Sequence, residues 1–309
     1  MKTIDVENGP KGVSTIVQGC MRMPSLSDAE AQRVIRNAVE LGVNFFDHAT
    51  CYGKKGEAET RFGEAFRKTG IAREDVFIQS KCGIYPERSV FDWSRPSVLK
   101  AVDEILARLQ MDYLDALLLH RPDLLFEPEE VAETFDELYA AGKVRHFGVS
   151  NLAPAPIDLL KKYLQRPLVF NQLQFSLEQS QLIDQDLYVN NKTTDASTSR
   201  DVGLINYCRL NEITIQAWSP LQYGFFEGVF IDNPKFPALN AALEEVGKKY
   251  GISKTATAIA WILRHPAKMQ VIVGTMTPER LRDICSAREV VLDRDDWYKL
   301  YLASGKFLP

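Results

Sequence analysis

Four side chains able to hold or move a proton stand at or just beyond the ends of apolar runs. "VNFFDHATCYG" (Val43 to Gly53) reaches Asp47 and places Tyr52 five positions later. "VFIQSK" ends on Lys81, and "YLDALLLH" ends on His120. Each has an ordinary role when taken alone. An aspartate at a strand end caps a turn, a lysine carries its charge out to water, a single histidine completes a hydrogen bond, and a loop tyrosine packs. Delivered to one place, the carboxylate, amine, imidazole and phenol have a joint chemistry, which is proton donation by the phenol. A phenol titrates near ~10, high for acid–base work at neutral pH. An ammonium about 4 Å away, at an effective dielectric near 20, favours the phenolate by up to ~4 kcal/mol, or roughly 3 pKa units before desolvation. Lys81 is therefore expected to lower the Tyr52 pKa, with Asp47 holding Lys81 charged and His120 orienting a substrate oxygen. That set suits protonation of a carbonyl as hydride arrives. No side chain supplies a hydride, so a nicotinamide is implied.

These residues need a frame that brings strand ends together. Eight apolar runs have strand character: Val13 to Gly19, Val43 to Asp47, Val76 to Lys81, Tyr113 to His120, Arg145 to Asn151, Leu168 to Phe175, Ile213 to Ser219 and Gln270 to Thr275. Amphipathic segments separate them. "SDAEAQRVIRNAVELG" opens with a capping box, Ser27 and Glu30, puts Val34, Ala38 and Leu41 on one face, and stops at Gly42. "EPEEVAETFDELYAAG" aligns Val131, Phe135 and Leu138 and stops at Gly142. Regular alternation of this kind predicts an α/β fold, a (β/α)8 TIM barrel forming one domain over 1–309. An open doubly wound sheet fits less well, because no GxGxxG follows the first strand. "TIDVENGPKGVSTI" predicts an N-terminal β-hairpin turning at Asn8-Gly9. Long loops are expected at the C-terminal face, with residues 179–201 forming a polar surface loop.

Composition removes several classes. A net charge of −4 offers no broad cationic surface for nucleic acid. No apolar run approaches the length of a membrane span. Five cysteines without a CxxC point to reduced thiols and a cytoplasmic setting. Four histidines without HxH or HExxH spacing argue against a catalytic zinc, so no metal is expected.

"FFDHATCYG", "SK" at Ser80-Lys81, "LLLHRPD", "FGVSNL", "FNQLQFS" and "IQAWSPL" together resemble the aldo-keto reductase family, most closely its bacterial branch with His-Arg-Pro-Asp after the fourth strand. The likeness runs from about residue 13 to 290, with the motifs in family order. It implies NADPH-dependent reduction of an aldehyde or ketone, with Asp47, Tyr52, Lys81 and His120 as the catalytic set and Tyr52 as proton donor. It also implies that Ser150, Asn151 and Gln172 hydrogen-bond the nicotinamide carboxamide and that Trp218 stacks on the ring. Ser219, Leu221 and Gln222 then face the pyrophosphate. Beyond the eighth strand Gly274, Thr275, Thr277, Arg280 and Asp283 line the adenosine end, where Arg280 suits a 2′-phosphate. Gly274 stands where the family's NADPH pattern has a basic residue, Asp283 where it has glutamate and Ile284 where it has asparagine. NADP(H) is thus the expected cofactor, with NAD(H) left open. Met21 and Arg22, after the first strand, are further candidates for contact with cofactor or substrate.

Other readings share these residues. A nicotinamide-binding regulatory subunit would keep the four side chains and turn over little, whereas a phosphate-handling barrel isomerase would bind no nicotinamide. Cys20, Cys51 and Cys82 stand at neighbouring strand ends, as small fillers or as a redox-sensitive cluster. The aromatics of "QYGFFEGVFIDNPKFP", with Trp297, Tyr298 and Tyr301 on a terminal helix, either pack or line a pocket.

Overall fold

The structure is a computed structural model that describes residues 2–187 and 203–307. Eight parallel strands close into a barrel in chain order: β1 (Ile16–Gly19), β2 (Phe45–Asp47), β3 (Phe77–Cys82), β4 (Leu114–Leu119), β5 (Val144–Ser150), β6 (Leu168–Gln174), β7 (Thr214–Trp218) and β8 (Gln270–Val273). All eight runs read from the sequence contribute a strand. The barrel strands are almost wholly buried, as expected where helices cover the outside and side chains fill the inside.

Two apolar layers result. Val17, Phe45, Ala116, Leu118, Phe170 and Ile272 belong to one cluster with Ile4, Val6 and Val13. The last three come from the N-terminal hairpin, in which Thr3–Ile4 pairs antiparallel with Val13–Ser14. The hairpin therefore closes the barrel floor. It turns at Asn8-Gly9, with Asn8 at a φ of 54° and the Gly9 N–H donating to the Val6 carbonyl at 3.1 Å. The larger cluster lies between strands and helices.

The helices are α1 (Asp28–Glu40), α2 (Glu57–Phe66), α3 (Arg95–Leu109), α4 (Pro128–Ala140), α5 (Pro154–Lys161), α6 (Gln181–Leu187), α7 (Leu204–Leu210), α8 (Pro237–Tyr250), α9 (Lys254–Leu263), α10 (Pro278–Cys285) and α11 (Arg294–Ala303). The capping box of α1 forms as expected: Ser27 Oγ accepts from the Glu30 N–H, and the Glu30 carboxylate accepts from the Ser27 N–H at 2.9 Å.

The expected loop over 179–201 needs correction, because its first part is helical. α6 buries Leu182 and Ile183, and the carboxylate of its buried Asp184 accepts from the Tyr301 hydroxyl at 2.8 Å. Two apolar side chains one residue apart gave too weak a period to read as a helix. Residues 188–202 lie outside the described residues. Among the described residues no helix is long and apolar enough to cross a membrane.

Candidate active site

Parallel register brings the four candidate residues, Asp47, Tyr52, Lys81 and His120, to one mouth. Asp47 is the last residue of β2 and lies opposite Gln79 of β3, two residues before Lys81. Beyond β2 the chain continues to pair with β3, through the His48 N–H to the Gln79 carbonyl and the Thr50 N–H to the Lys81 carbonyl, both at 2.9 Å. It then turns back at Tyr52. Gly53 follows because its φ is 75° and a Cβ there would lie 2.9 Å from Glu57 Cβ. His120 leaves β4 with its N–H bonded to the Cys82 carbonyl at 2.9 Å.

Lys81 Nζ donates to both oxygens of Asp47 at 2.6 Å, and neither side chain is more than 2% exposed. A buried ion pair holds only if its remaining hydrogen-bonding capacity is met. Here Asp47 Oδ1 also accepts from Gln79 Nε2 at 2.7 Å and from Gln172 Nε2 at 3.1 Å. Lys81 Nζ lies 5.0 Å from the centre of the Tyr52 ring, and the Tyr52 and His120 rings meet edge to face at 6.1 Å.

The electrostatics correct one expectation. The Tyr52 pKa is not lowered: burial pushes the phenol well above its ordinary value, and the nearby Asp47 carboxylate adds to that shift. The physical reason is the enclosure of the ring: taking the phenolate out of water costs more than the Lys81 ammonium, 5.0 Å from the ring centre and already paired with Asp47, returns. His120 moves in the opposite direction, its imidazole held well below its ordinary pKa by burial and by the charges of Lys81 and Arg121. Near neutral pH the mouth thus carries a protonated phenol and an uncharged imidazole. Cys51, half-buried and with its thiol pushed up by burial, places Sγ 3.6 Å from His120 Nδ1.

The other candidate residues divide by position. Ser150, Asn151, Gln172 and Trp218 join the same mouth. Ser150 Oγ donates to the Gln172 carbonyl at 2.9 Å, Asn151 Nδ2 donates to Ser150 Oγ at 2.7 Å, and Trp218 Nε1 donates to Asn151 Oδ1 at 3.2 Å. Ser219 takes a left-handed φ of 50° where the chain leaves β7, and the Gln222 N–H returns to its carbonyl at 3.1 Å. Leu221 packs on the core, while Gln222 Oε1 is buried with no hydrogen-bond partner among the described residues. Met21 is exposed. Arg22 reaches from the loop after β1 to the end of β8, where its Nη1 donates to the Gly274 carbonyl at 3.0 Å. It stands 2.5 Å from where a Cβ on Gly274 would be. Thr275 Oγ1 accepts from the Thr277 N–H at 3.2 Å, and Thr277 precedes α10 without a side-chain cap bond. Arg280 lies in the first turn of that helix, Asp283 accepts from Ser253 Oγ at 2.6 Å, and Ile284 is buried in the core.

Aromatic residues left open by the sequence separate cleanly. Trp297 and Tyr301 stack into a core column with Trp261, at 4.9 Å from Trp261 to Trp297 and 6.0 Å from Trp297 to Tyr301. Phe225 and Phe226 are exposed and flank Trp218, at 6.3 and 6.1 Å between ring centres. Arg121 joins that group, its guanidinium carbon 5.8 Å from the rings of both Trp218 and Phe225. In the sequence Arg121 stands only as part of the His-Arg-Pro-Asp motif, with no site role; a cation next to a strand-end imidazole is the signal for one. Gln79 and Gln216 were also missed, and their signal was an amide inside an otherwise apolar strand. Cys20 and Cys82 are fully buried, and all five cysteines are free thiols.

An eight-stranded parallel barrel with a carboxylate–amine pair, a phenol and an imidazole at the C-terminal mouth defines a class of protein equipped to handle a proton on a small molecule. The particular family is set by comparison: the model of the Aldo/keto reductase family matches residues 15–301, and the chain belongs to that family. A 6-dehydroglucose reductase of Agrobacterium fabrum is 34% identical over 307 residues, covering 95% of each chain. YcsN of Bacillus subtilis, an uncharacterised oxidoreductase, is 34% identical over 303 residues, covering 94% of each chain. Among solved structures, an aldo-keto reductase from Klebsiella pneumoniae in complex with NADPH superposes with a TM-score of 0.75 at 25% identity, covering 97% of this chain and 94% of that one. The chain is accordingly an oxidoreductase.

Proposed function

We propose that this chain, as one barrel domain, reduces an aldehyde or ketone to an alcohol with NADPH, and that Tyr52 donates the proton. The observation that carries this reading is the convergence of Tyr52, His120 and the buried Asp47–Lys81 pair at one mouth. A bound nicotinamide dinucleotide supplies the hydride. The protein's own residues do the rest. Tyr52 stays protonated because burial raises its pKa, so the acid is loaded before the carbonyl oxygen gains charge. Lys81, fixed by Asp47, stands beside the ring and stabilises the phenolate left behind. His120 is uncharged and meets Tyr52 edge to face, so a ring N–H of the neutral imidazole orients the substrate oxygen.

The residues present fit the cofactor. Ser150, Asn151 and Gln172 offer the polar groups for a carboxamide, and Trp218 offers a ring face. Thr277 leaves the first-turn N–H groups of α10 without a side-chain cap, which suits an anion beside Thr275 and Arg280. Gly274 has no side chain, yet Arg22 places a guanidinium where one would project, so that end of the mouth still carries positive charge. Met21, Ser219, Leu221, Gln222 and Asp283 complete the proposed cofactor contacts. Arg121 between Trp218 and Phe225 favours a carbonyl compound bearing hydroxyl or acidic groups, in keeping with the name of the Agrobacterium relative. Five free thiols support a reducing, cytoplasmic setting.

The test is NADPH oxidation followed at about 340 nm with a generic aldehyde, comparing wild type with Tyr52→Phe. Aldehyde-dependent oxidation in wild type, lost in the variant with NADPH binding retained, is the expected result. Binding without turnover in both proteins favours a regulatory nicotinamide-binding role. No binding of NADPH or NADH overturns the proposal.

A further inference from the structure

Four glutamines run through the barrel interior beneath Asp47: Gln79 on β3, Gln172 on β6, Gln216 on β7 and Gln270 on β8. None is more than 3% exposed. Gln172 and Gln216 are register partners, as are Gln216 and Gln270, so the pleat turns three amides into one layer. Purely apolar packing would fill such a layer with leucine or methionine, because a buried amide must find partners for both its donors and its acceptor.

The direction of the chain is decided at its lower end. Gln270 Nε2 donates to the Ser14 main-chain carbonyl at 2.8 Å, and that carbonyl can only accept. The Gln270 oxygen must then face Gln216, and it accepts from Gln216 Nε2 at 2.9 Å. Gln216 in turn presents its own oxygen, which accepts from Gln79 Nε2 at 2.9 Å and from Gln172 Nε2 at 3.3 Å. The second hydrogen on each of those two nitrogens goes to Asp47 Oδ1, at 2.7 and 3.1 Å. Gln79 Oε1 is left buried without a partner. Rotating that amide would set its oxygen against both the Asp47 carboxylate and the Gln216 oxygen, so the orphan is the lesser cost.

We propose that these glutamines form a one-way hydrogen-bond relay, with its direction set by the Ser14 carbonyl at the barrel floor, that positions the Asp47–Lys81 pair for proton transfer at the mouth. The proposal rests on the catalytic reading of that pair given above. Gln216 and Gln270 are positioning residues: their hydrogen bonds run to Gln79, Gln172, Ser14 and each other, and they act on the pair through Gln79 and Gln172. Without the lower links the Gln79 and Gln172 amides are free to rotate, and Asp47 loses two of the donors that hold it against Lys81.

The test pairs Gln270→Met with Gln270→Glu. Methionine preserves volume and cuts the chain, and kcat is expected to fall roughly 10–100-fold with the carbonyl KM within about twofold. A buried glutamate is held neutral, so its hydroxyl can donate to Ser14 while its carbonyl accepts from Gln216; most of kcat should return. A packing role predicts the reverse order, with methionine tolerated and glutamate harmful. Selective 15N-glutamine labelling supplies a readout independent of turnover: the Gln79 and Gln172 side-chain amide signals should move in Gln270→Met. Gln216→Met cuts the same chain one link higher and replaces Gln270→Met if that variant does not fold. Unmoved amide signals, or moved signals with wild-type kcat, overturn the relay. Failure of wild type to reduce any carbonyl overturns the reductase reading instead, and the amide signals still decide whether the relay exists.

Discussion

Two buried carboxylates at opposite ends of the barrel show how similar ion pairs serve different ends. Asp115, the second residue of β4, lies near the floor. It accepts from Arg73 Nη2 at 2.7 Å, from Arg145 Nη1 at 3.3 Å and from the Ile78 N–H at 2.9 Å. Both guanidinium groups stack on Tyr113, at 4.0 and 3.7 Å from the ring centre, and both reach solvent. Asp47, at the mouth, has one cation that is fully buried, with a phenol and an imidazole alongside. The floor site ties β3, β4 and β5 together with more positive charge than it needs. At the mouth the charge is balanced, and the neighbouring groups are protonatable. Surroundings, rather than the carboxylate itself, separate a clamp from the site proposed to handle a proton.

The contrast breaks most sharply under substitution. Tyr52→Phe should lower kcat by about 10²–10⁴-fold, the range for loss of a positioned general acid, while Asp115→Asn leaves kcat near wild type; steady-state rates on both variants decide this. Lys81→Met strands Asp47 in the interior and should cost about 3–5 kcal/mol in denaturant unfolding, as loss of one partner of a buried pair does. Asp115→Asn, whose cations are partly in water, should cost less, about 1–3 kcal/mol. A larger loss at Asp115 than at Lys81 would reverse the comparison.

Acid sharpens it further. His48 follows Asp47 but points into the core against Phe62, where burial pushes its pKa down to about 3. The unfolded chain takes up that proton near pH ~6.5, whereas the folded chain does not. Stability from this group is therefore complete above the unfolded pKa and declines as pH falls toward the folded one, by about 1.4 kcal/mol per pH unit. His48→Leu should flatten the fall of Tm between pH 6 and 4, and an unchanged slope would remove His48 as a source. The smallest expected effect concerns the substrate. Arg121→Gln should lower kcat/KM roughly tenfold, an effect of about 1.4 kcal/mol, for a carboxylate-bearing aldehyde and little for its uncharged analogue. Equal losses on both aldehydes would place Arg121 outside substrate recognition.

The barrel was legible because its signals are local and periodic. Apolar runs of strand length, amphipathic stripes ending at Gly42 and Gly142, and the Ser27–Glu30 capping box each follow from neighbours a few residues apart, and each appears in the structure. Strand ends in a parallel barrel share one face, so the meeting of Asp47, Tyr52, Lys81 and His120 followed from position along the chain. Only tertiary structure decided the direction of the Tyr52 pKa shift, since it depends on how deeply the ring is buried and on the Asp47 carboxylate that the fold sets beside it. The same holds for the fate of the aromatics. Trp297 and Tyr301 meet Trp261 across more than thirty residues of chain, and Phe225 and Phe226 find Trp218 at the mouth. Each glutamine of the barrel interior looks like an exception in its own strand; its meaning comes from the carbonyl and amides that the other strands place against it, because a buried amide takes its direction from its partners.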